Sequence, residues 1–151
     1  MPENRLIKAA EISVLVHATE DEEKVKQAVK RLAKYEHDFE SQHLTGHYDD
    51  PITFLKSVTS KKKEATDFMT NIANKLSSLD RELLLQELQK HVDPQGNLYI
   101  RLDKQKAYHG RAVLNENDPI RIKFKLQLPH KADSAAVVRE YIINLEDDNI
   151  E

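Results

Sequence analysis

Along residues 7–18 apolar and polar positions alternate: Ile12, Val14, Val16 and Ala18 on one side, Glu11, Ser13, Leu15 and His17 on the other. A period of two predicts a strand with one buried face. The period then changes. Val25, Ala28, Val29 and Leu32 recur at helical spacing and predict a helix over 20–34. Thr19 and Glu22 have the spacing of a capping box, and Glu20, Asp21 and Glu23 suit the positive end of the helix dipole. His37, Phe39, Ser41 and His43 alternate and predict a second strand over 36–44. Residues 44–52, LTGHYDDPI, read as a loop, with Gly46 and the Asp49-Asp50-Pro51 turn. Residues 52–60, rich in β-branched side chains, predict a third strand.

A helix over 63–77 carries Ala65, Phe68, Met69, Ile72, Ala73 and Leu76 on one stripe, and Ser77-Ser78 interrupts it. Another follows over 80–91, with Asp80 as N-cap and Leu83, Leu84, Leu85 and Leu88 within it. Residues 93–97, DPQGN, form a tight turn. Short strands are predicted over 98–102 and 110–114, with a helical turn between them and a polar turn over 115–119. The clearest strand is 120–128, IRIKFKLQL, and a short helix over 133–145 ends the pattern. The order β-α-β-β-α-α-β-β-β-α is not a regular βαβ alternation. It predicts an α+β fold: a mixed or mostly antiparallel sheet with helices packed on one face.

The length of 151 residues suits a single domain, with a core over 7–128, the helix 133–145 and an acidic tail 146–151. Composition narrows the chemistry. With no cysteine there is no disulfide, thiolate zinc site or cysteine nucleophile, which fits a reducing compartment. No stretch approaches the roughly 20 apolar residues of a membrane span, and the first residues lack a signal-peptide pattern, so a cytoplasmic setting without membrane partners is expected.

The net charge of −3 hides an uneven distribution. Residues 1–60 have net charge −3, residues 61–128 have +4 and residues 129–151 have −4. Most of the basic middle lies in three segments. In strand 120–128, Arg121, Lys123, Lys125 and Gln127 share the face opposite Ile120, Ile122, Phe124, Leu126 and Leu128. Cations two residues apart on a strand are spaced by about 7 Å, close to the phosphate spacing of a nucleic-acid strand. The simpler reading is a solvated face or a lysine-protected edge. In 98–111, Arg101, Lys104, Lys106 and Arg111 alternate with Tyr99, Tyr108 and His109, a mixture suited to stacking on single-stranded bases or equally to an ordinary connecting turn. Lys61, Lys62 and Lys63 stand before a helix, where the dipole disfavours cations; a bound anion or simple solvation would accommodate them.

Catalytic chemistry is not indicated. The seven histidines, His17, His37, His43, His47, His91, His109 and His130, are scattered. His43 and His47 are separated by the Gly46 loop, so their spacing does not set them on one face. Asp49 and Asp50 fit half of a magnesium site but also ordinary turn chemistry. No Walker A, G-x-S-x-G or G-x-G-x-x-G is present. No cofactor, metal or enzymatic activity is expected.

The segments HATEDEEKV (17–25), LTGHYDDPI (44–52), DPQGNLYIRLDKQKAYHG (93–110) and IRIKFKLQ (120–127) carry a family resemblance. Over about residues 9–127 the chain resembles the small archaeal proteins known as predicted exosome subunits, or RNA-binding proteins of the exosome-associated gene cluster. The resemblance implies an α+β fold similar to the ribosomal protein that binds 5S rRNA, no enzymatic activity, a cytoplasmic setting, and a role in RNA processing or decay. Where that family typically carries Gly-Asn-Pro, this chain has Asp49-Asp50-Pro51, and an acid there speaks against phosphate contact by the loop. The acidic extension after residue 129 lies outside the resemblance. The expected partner is RNA, structured or single-stranded, with exosome or ribosomal proteins as possible further partners. The alternative is a protein-interaction adaptor that docks on such an assembly with little RNA contact.

Overall fold

The computed structural model describes residues 6–129 and 131–149. Among these residues five strands and six helices follow one another in the order β1 (Ile7–His17), α1 (Glu22–Leu32), β2 (Glu40–Thr45), β3 (Pro51–Thr59), α2 (Lys62–Lys75), α3 (Ser78–Gln86), α4 (Leu88–His91), β4 (Asn97–Leu102), α5 (Lys104–Tyr108), β5 (Ile120–Leu126) and α6 (Ser134–Asn149). The strands form one antiparallel sheet in the order β2-β3-β1-β5-β4. β5, the strand with the cleanest alternation, lies inside the sheet between β1 and β4.

One face of the sheet is apolar and buried. Ile12, Val14 and Val16 of β1, Leu55 of β3, Leu98, Ile100 and Leu102 of β4, and Ile122 and Phe124 of β5 all point into it. The helices close over that face. Phe68 of α2 meets Phe124 at a ring-centroid distance of 5.2 Å. α1 supplies Val25, Ala28, Val29 and Leu32, and α6 adds Val138 and Ile142, so the core extends past residue 128. Among the described residues the other face carries no helix, and apart from Ala9 its strand residues are half-buried or exposed.

β3 breaks the pattern that the other strands obey. Its core-facing positions include Ser57 and Thr59, 1% and 5% exposed, while Phe54 and Val58 point to the open side, Val58 at 51% exposed. The buried hydroxyls are satisfied locally. Ser57 Oγ lies 2.6 Å from His37 Nδ1, and Thr59 donates to Glu64 Oε1 at 2.6 Å. Because His37 Nε2 donates to the carbonyl of Ala33, its Nδ1 accepts from Ser57.

Several predicted details differ. The cap of α1 is Asp21, whose carboxylate accepts from the Glu23 amide at 3.0 Å; Glu20 instead accepts from the His17 amide, closing the strand end. The cap of α3 is Ser77 rather than Asp80, which lies inside the helix and accepts from the Leu114 amide. The expected strand over 110–114 is not a strand. It contributes one bridge, Leu102 to Leu114, and its neighbours bind the outer edge of β4 through the Asp103 amide to the Val113 carbonyl and the Asn115 amide to the Arg101 carbonyl. The second strand starts at Glu40, and α6 runs on to Asn149, through residues expected to form the tail. His130 and residues 150–151 lie outside the described residues.

The turn before β4 forms as expected. The Gly96 amide donates to the Asp93 carbonyl, and Gly96 adopts φ +84. A Cβ there would meet Leu128 Cδ1 at 3.0 Å. Gly96→Ala is expected to destabilise the protein by about 1–2 kcal/mol through the left-handed conformation and this contact. A thermal melt checks it; a variant melting with the parent would show that the turn tolerates a side chain.

Candidate functional site

Antiparallel pairing sets the open face of the sheet in rows. Arg101 of β4 stands opposite Arg121 of β5, which stands opposite Ser13 of β1 and, beyond it, Lys56 of β3. In the next row Tyr99 stands opposite Lys123, which faces Glu11 and then Val58. Asn97, Lys125 and Ala9 form the third. Five cations, Lys56, Arg101, Arg121, Lys123 and Lys125, therefore share one helix-free surface. Lys56 is 3.5 Å from Glu11, and Arg101 is 3.7 Å from Glu116. Among the described residues Arg121, Lys123 and Lys125 make no ion pair. Arg101 directly opposite Arg121 is an unfavourable cross-strand pair in isolation. An anion between them would offset that repulsion.

Tyr99 is fixed on this face by its hydroxyl, which donates to Asp93 Oδ2 at 3.0 Å. Burial and then the bond to Asp93 push the phenol up from its ordinary range. Burial works to raise the Asp93 carboxyl, but donors from Asn97, Tyr99 and Gln95 outweigh it and hold it below the ordinary range. Tyr99 thus stays a neutral, oriented ring.

The remaining expected site residues are placed elsewhere. Lys104, Lys106 and Tyr108 belong to α5, which packs on α1 in the helical layer, and His109 and Arg111 follow it. Arg31 of α1 stands over the Tyr108 ring at 5.3 Å, so that ring already has a cation partner. Lys104 is withdrawn from solvent, with a side chain 12% exposed. Its ammonium donates to the Leu15 carbonyl at 2.5 Å, to Glu20 Oε1 at 3.0 Å and to Asp118 Oδ2 at 3.0 Å. It is an internal counter-ion, not a free surface cation. Lys61, Lys62 and Lys63 lie at the other end of the sheet, where β3 leads into α2; Lys61 is 3.9 Å from Glu64 and Lys63 is 2.9 Å from Asp67. Of the three basic segments, then, only strand 120–128 and Arg101 come together. Lys56 joins them, and no signal in the basic segments pointed to it; finding it required the β1–β3 register.

His17, Glu20 and Asp118 bring three potential metal ligands within 4.8 Å of one another. The Lys104 ammonium occupies the position between the two carboxylates, and His17 Nε2 lies 3.1 Å from Asp118 Oδ1. A divalent ion would have to displace Lys104, so the donor set does not fit a metal. The loop between β2 and β3 is a tight turn, with the Gly46 amide donating to the Asp50 carbonyl. Tyr48 and Asp49 there adopt φ of 61 and 60, and Tyr48 is 97% exposed.

No helix of the described residues is long and apolar enough to cross a membrane. An RNA-binding protein of Pyrococcus abyssi is 33% identical over 139 residues, covering 87% of this chain and 90% of that protein. The crystal structure of a protein from Archaeglobus fulgidus is 34% identical and superposes with a TM-score of 0.76, covering 92% of this chain and 99% of that one. A solved protein from Methanothermobacter thermautotrophicus is 28% identical with a TM-score of 0.74, over 93% and 98% of the two chains. A family model described as RNA binding matches residues 9–126, from the start of β1 to the end of β5. The matched span holds all five cations of the open face, and the chain belongs to this RNA-binding family.

Proposed function

We propose that the chain is a non-catalytic RNA-binding protein that engages RNA through the open face of its sheet. The observation that carries this reading is the set Arg101, Arg121, Lys123 and Lys125 on two paired strands, with two arginines directly opposite each other and, among the described residues, three of the four cations in no ion pair. A chain of net charge −3 has no general attraction for nucleic acid, so the concentration of cations on one helix-free face supports a built surface. The cellular role that fits the sequence resemblance is accessory: RNA processing, with the archaeal exosome as the candidate assembly. Labelled RNA is expected to stay intact in magnesium or manganese. Metal-dependent cleavage abolished by substitution of Asp49 or His47 would refute the non-catalytic reading.

Affinity should depend on salt. With three or four phosphate contacts, log K is expected to fall with log salt at a slope of about −2 to −3, from roughly 0.7 per contact on a single strand. Fluorescence anisotropy across a salt series measures it. A flat profile would remove the cations from the interface.

A further inference from the structure

We infer that the RNA taken by this face is single-stranded, and that it lies in a diagonal trough ending on two aromatic rings, Phe54 and Tyr99. The inference rests on the open-face reading above and specifies its ligand.

Two shallow depressions mark the open face. One is bounded by Phe54, Leu15, Ser13 and Arg121; the other by Ser13, Arg121, Tyr99 and Lys123. They share Ser13 and Arg121, so they adjoin on a line running obliquely from β3 across β1 and β5 to β4. Phe54 pairs with Leu15 of β1, and Tyr99 aligns, through Lys123, with Glu11 of β1. Four residues along β1 and three strand spacings across it separate the rings by about 20 Å. Such a span takes a short run of nucleotides, with a ring for a base at each end and Arg121 between them for the backbone.

Phe54 is the unexpected element. In β3 an aromatic and a valine point away from the core while Ser57 and Thr59 point into it, and the buried hydroxyls need dedicated partners in His37 and Glu64. Local patterning that runs against burial is found at functional sites. A ring left on a helix-free face beside an arginine has the chemistry of a base-stacking platform. Duplex RNA offers no unstacked base to either ring, and it would meet the cations alone. Asp118 rims the Phe54 end, but Lys104 and His17 engage its carboxylate.

The test compares a labelled single-stranded oligouridylate of about eight nucleotides with a duplex of about sixteen base pairs, both by anisotropy at one salt concentration. The single strand is expected to bind at least about tenfold more tightly. Phe54→Ala and Tyr99→Ala should each weaken it by about fivefold to tenfold, while Phe54→Tyr and Tyr99→Phe, which keep the rings, retain binding. Circular dichroism melts of the same preparations show whether each variant is folded. Equal or tighter duplex binding would overturn the inference. So would folded alanine variants that bind the single strand like the parent. If those variants bind normally while Arg121→Glu does not, the open face stands and the trough falls. If the parent binds neither RNA, both fall.

Discussion

Replacing Arg121, Lys123 and Lys125 together with glutamate is expected to lower RNA affinity at least tenfold, about 1.4 kcal/mol, in a protein that still melts close to the parent. The three side chains point away from Ile120, Ile122, Phe124 and Leu126, so the substitution leaves the core packing untouched. Arg121 and Lys125 are exposed and Lys123 is half-buried on the open face, and changes at such surface positions alter stability by about 0.5 kcal/mol each. For a chain of this size that amounts to a shift of a few degrees in Tm, since 1 kcal/mol moves it by roughly 2–4 °C. Two local terms oppose one another. Glutamate at 121 removes the Arg101–Arg121 repulsion, and glutamate at 123 faces Glu11 across the β1–β5 pair. The electrostatic effect on a ligand is far larger. Three positive charges become three negative ones, all within reach of a bound phosphate at a Debye length of about 8 Å. A gel shift and a melt on one preparation decide the matter. A folded variant with undiminished affinity would move the RNA site off this face, toward the α5 segment or Lys61–Lys63.

How much of this arrangement could be read in advance differs from element to element. β5 was legible because every second residue from Ile120 to Leu126 is a large aliphatic or aromatic side chain, and the cations alternate with them without exception. The helices α1 and α2 were legible for the same reason at a different period. β3 was recognisable as a strand but not in its facing, because Ile52, Thr53, Val58 and Thr59 all favour strands and its apolar residues do not mark the buried side. Only pairing with β1 fixes which of Phe54 and Leu55 is inside. That is why Lys56 and Phe54 were missed: a cation or ring joins a surface through cross-strand register, and register is a long-range property. Residues 110–114 misled for a related reason. Ala112, Val113 and Leu114 are apolar because Ala112 is buried and the segment seals the edge of β4, and that burial needs only one bridge rather than a ladder. Within 98–111 the basic residues read as one group, yet strand ends at Leu102, and the change to helix turns Lys104 and Lys106 off the sheet face that holds Arg101.

Lys104 separates a structural cation from a ligand-binding one, and its replacement by methionine is expected to lower stability by about 2–3 kcal/mol. Methionine keeps much of the volume of the lysine stem, so the loss is chiefly of charge and hydrogen bonds. Without the ammonium, the Leu15 carbonyl loses its side-chain donor and the carboxylates of Glu20 and Asp118 face each other across a partly buried gap. Removing one partner of a buried ion pair costs about 3–5 kcal/mol. The carboxylates here are 29% and 39% exposed, and water screens part of that cost. The corresponding fall in Tm is about 5–10 °C. Lys106→Met, two residues on and exposed, serves as the control and should stay within about 0.5 kcal/mol of the parent. The pH dependence carries a second signature. Burial works to raise the Asp118 carboxyl, but hydrogen bonds from Lys104 and His17 overcome it and hold the group below its ordinary range. A depressed carboxyl contributes stability that is fully present above its unfolded pKa of about 3.9 and is lost as pH falls through the folded value. The gap in stability between parent and Lys104→Met should therefore be widest near neutral pH and should narrow below about pH 4. Were Lys104 instead a solvent-facing RNA contact, the variant would melt with the parent at every pH and lose RNA affinity alone, and that outcome would return it to the binding surface.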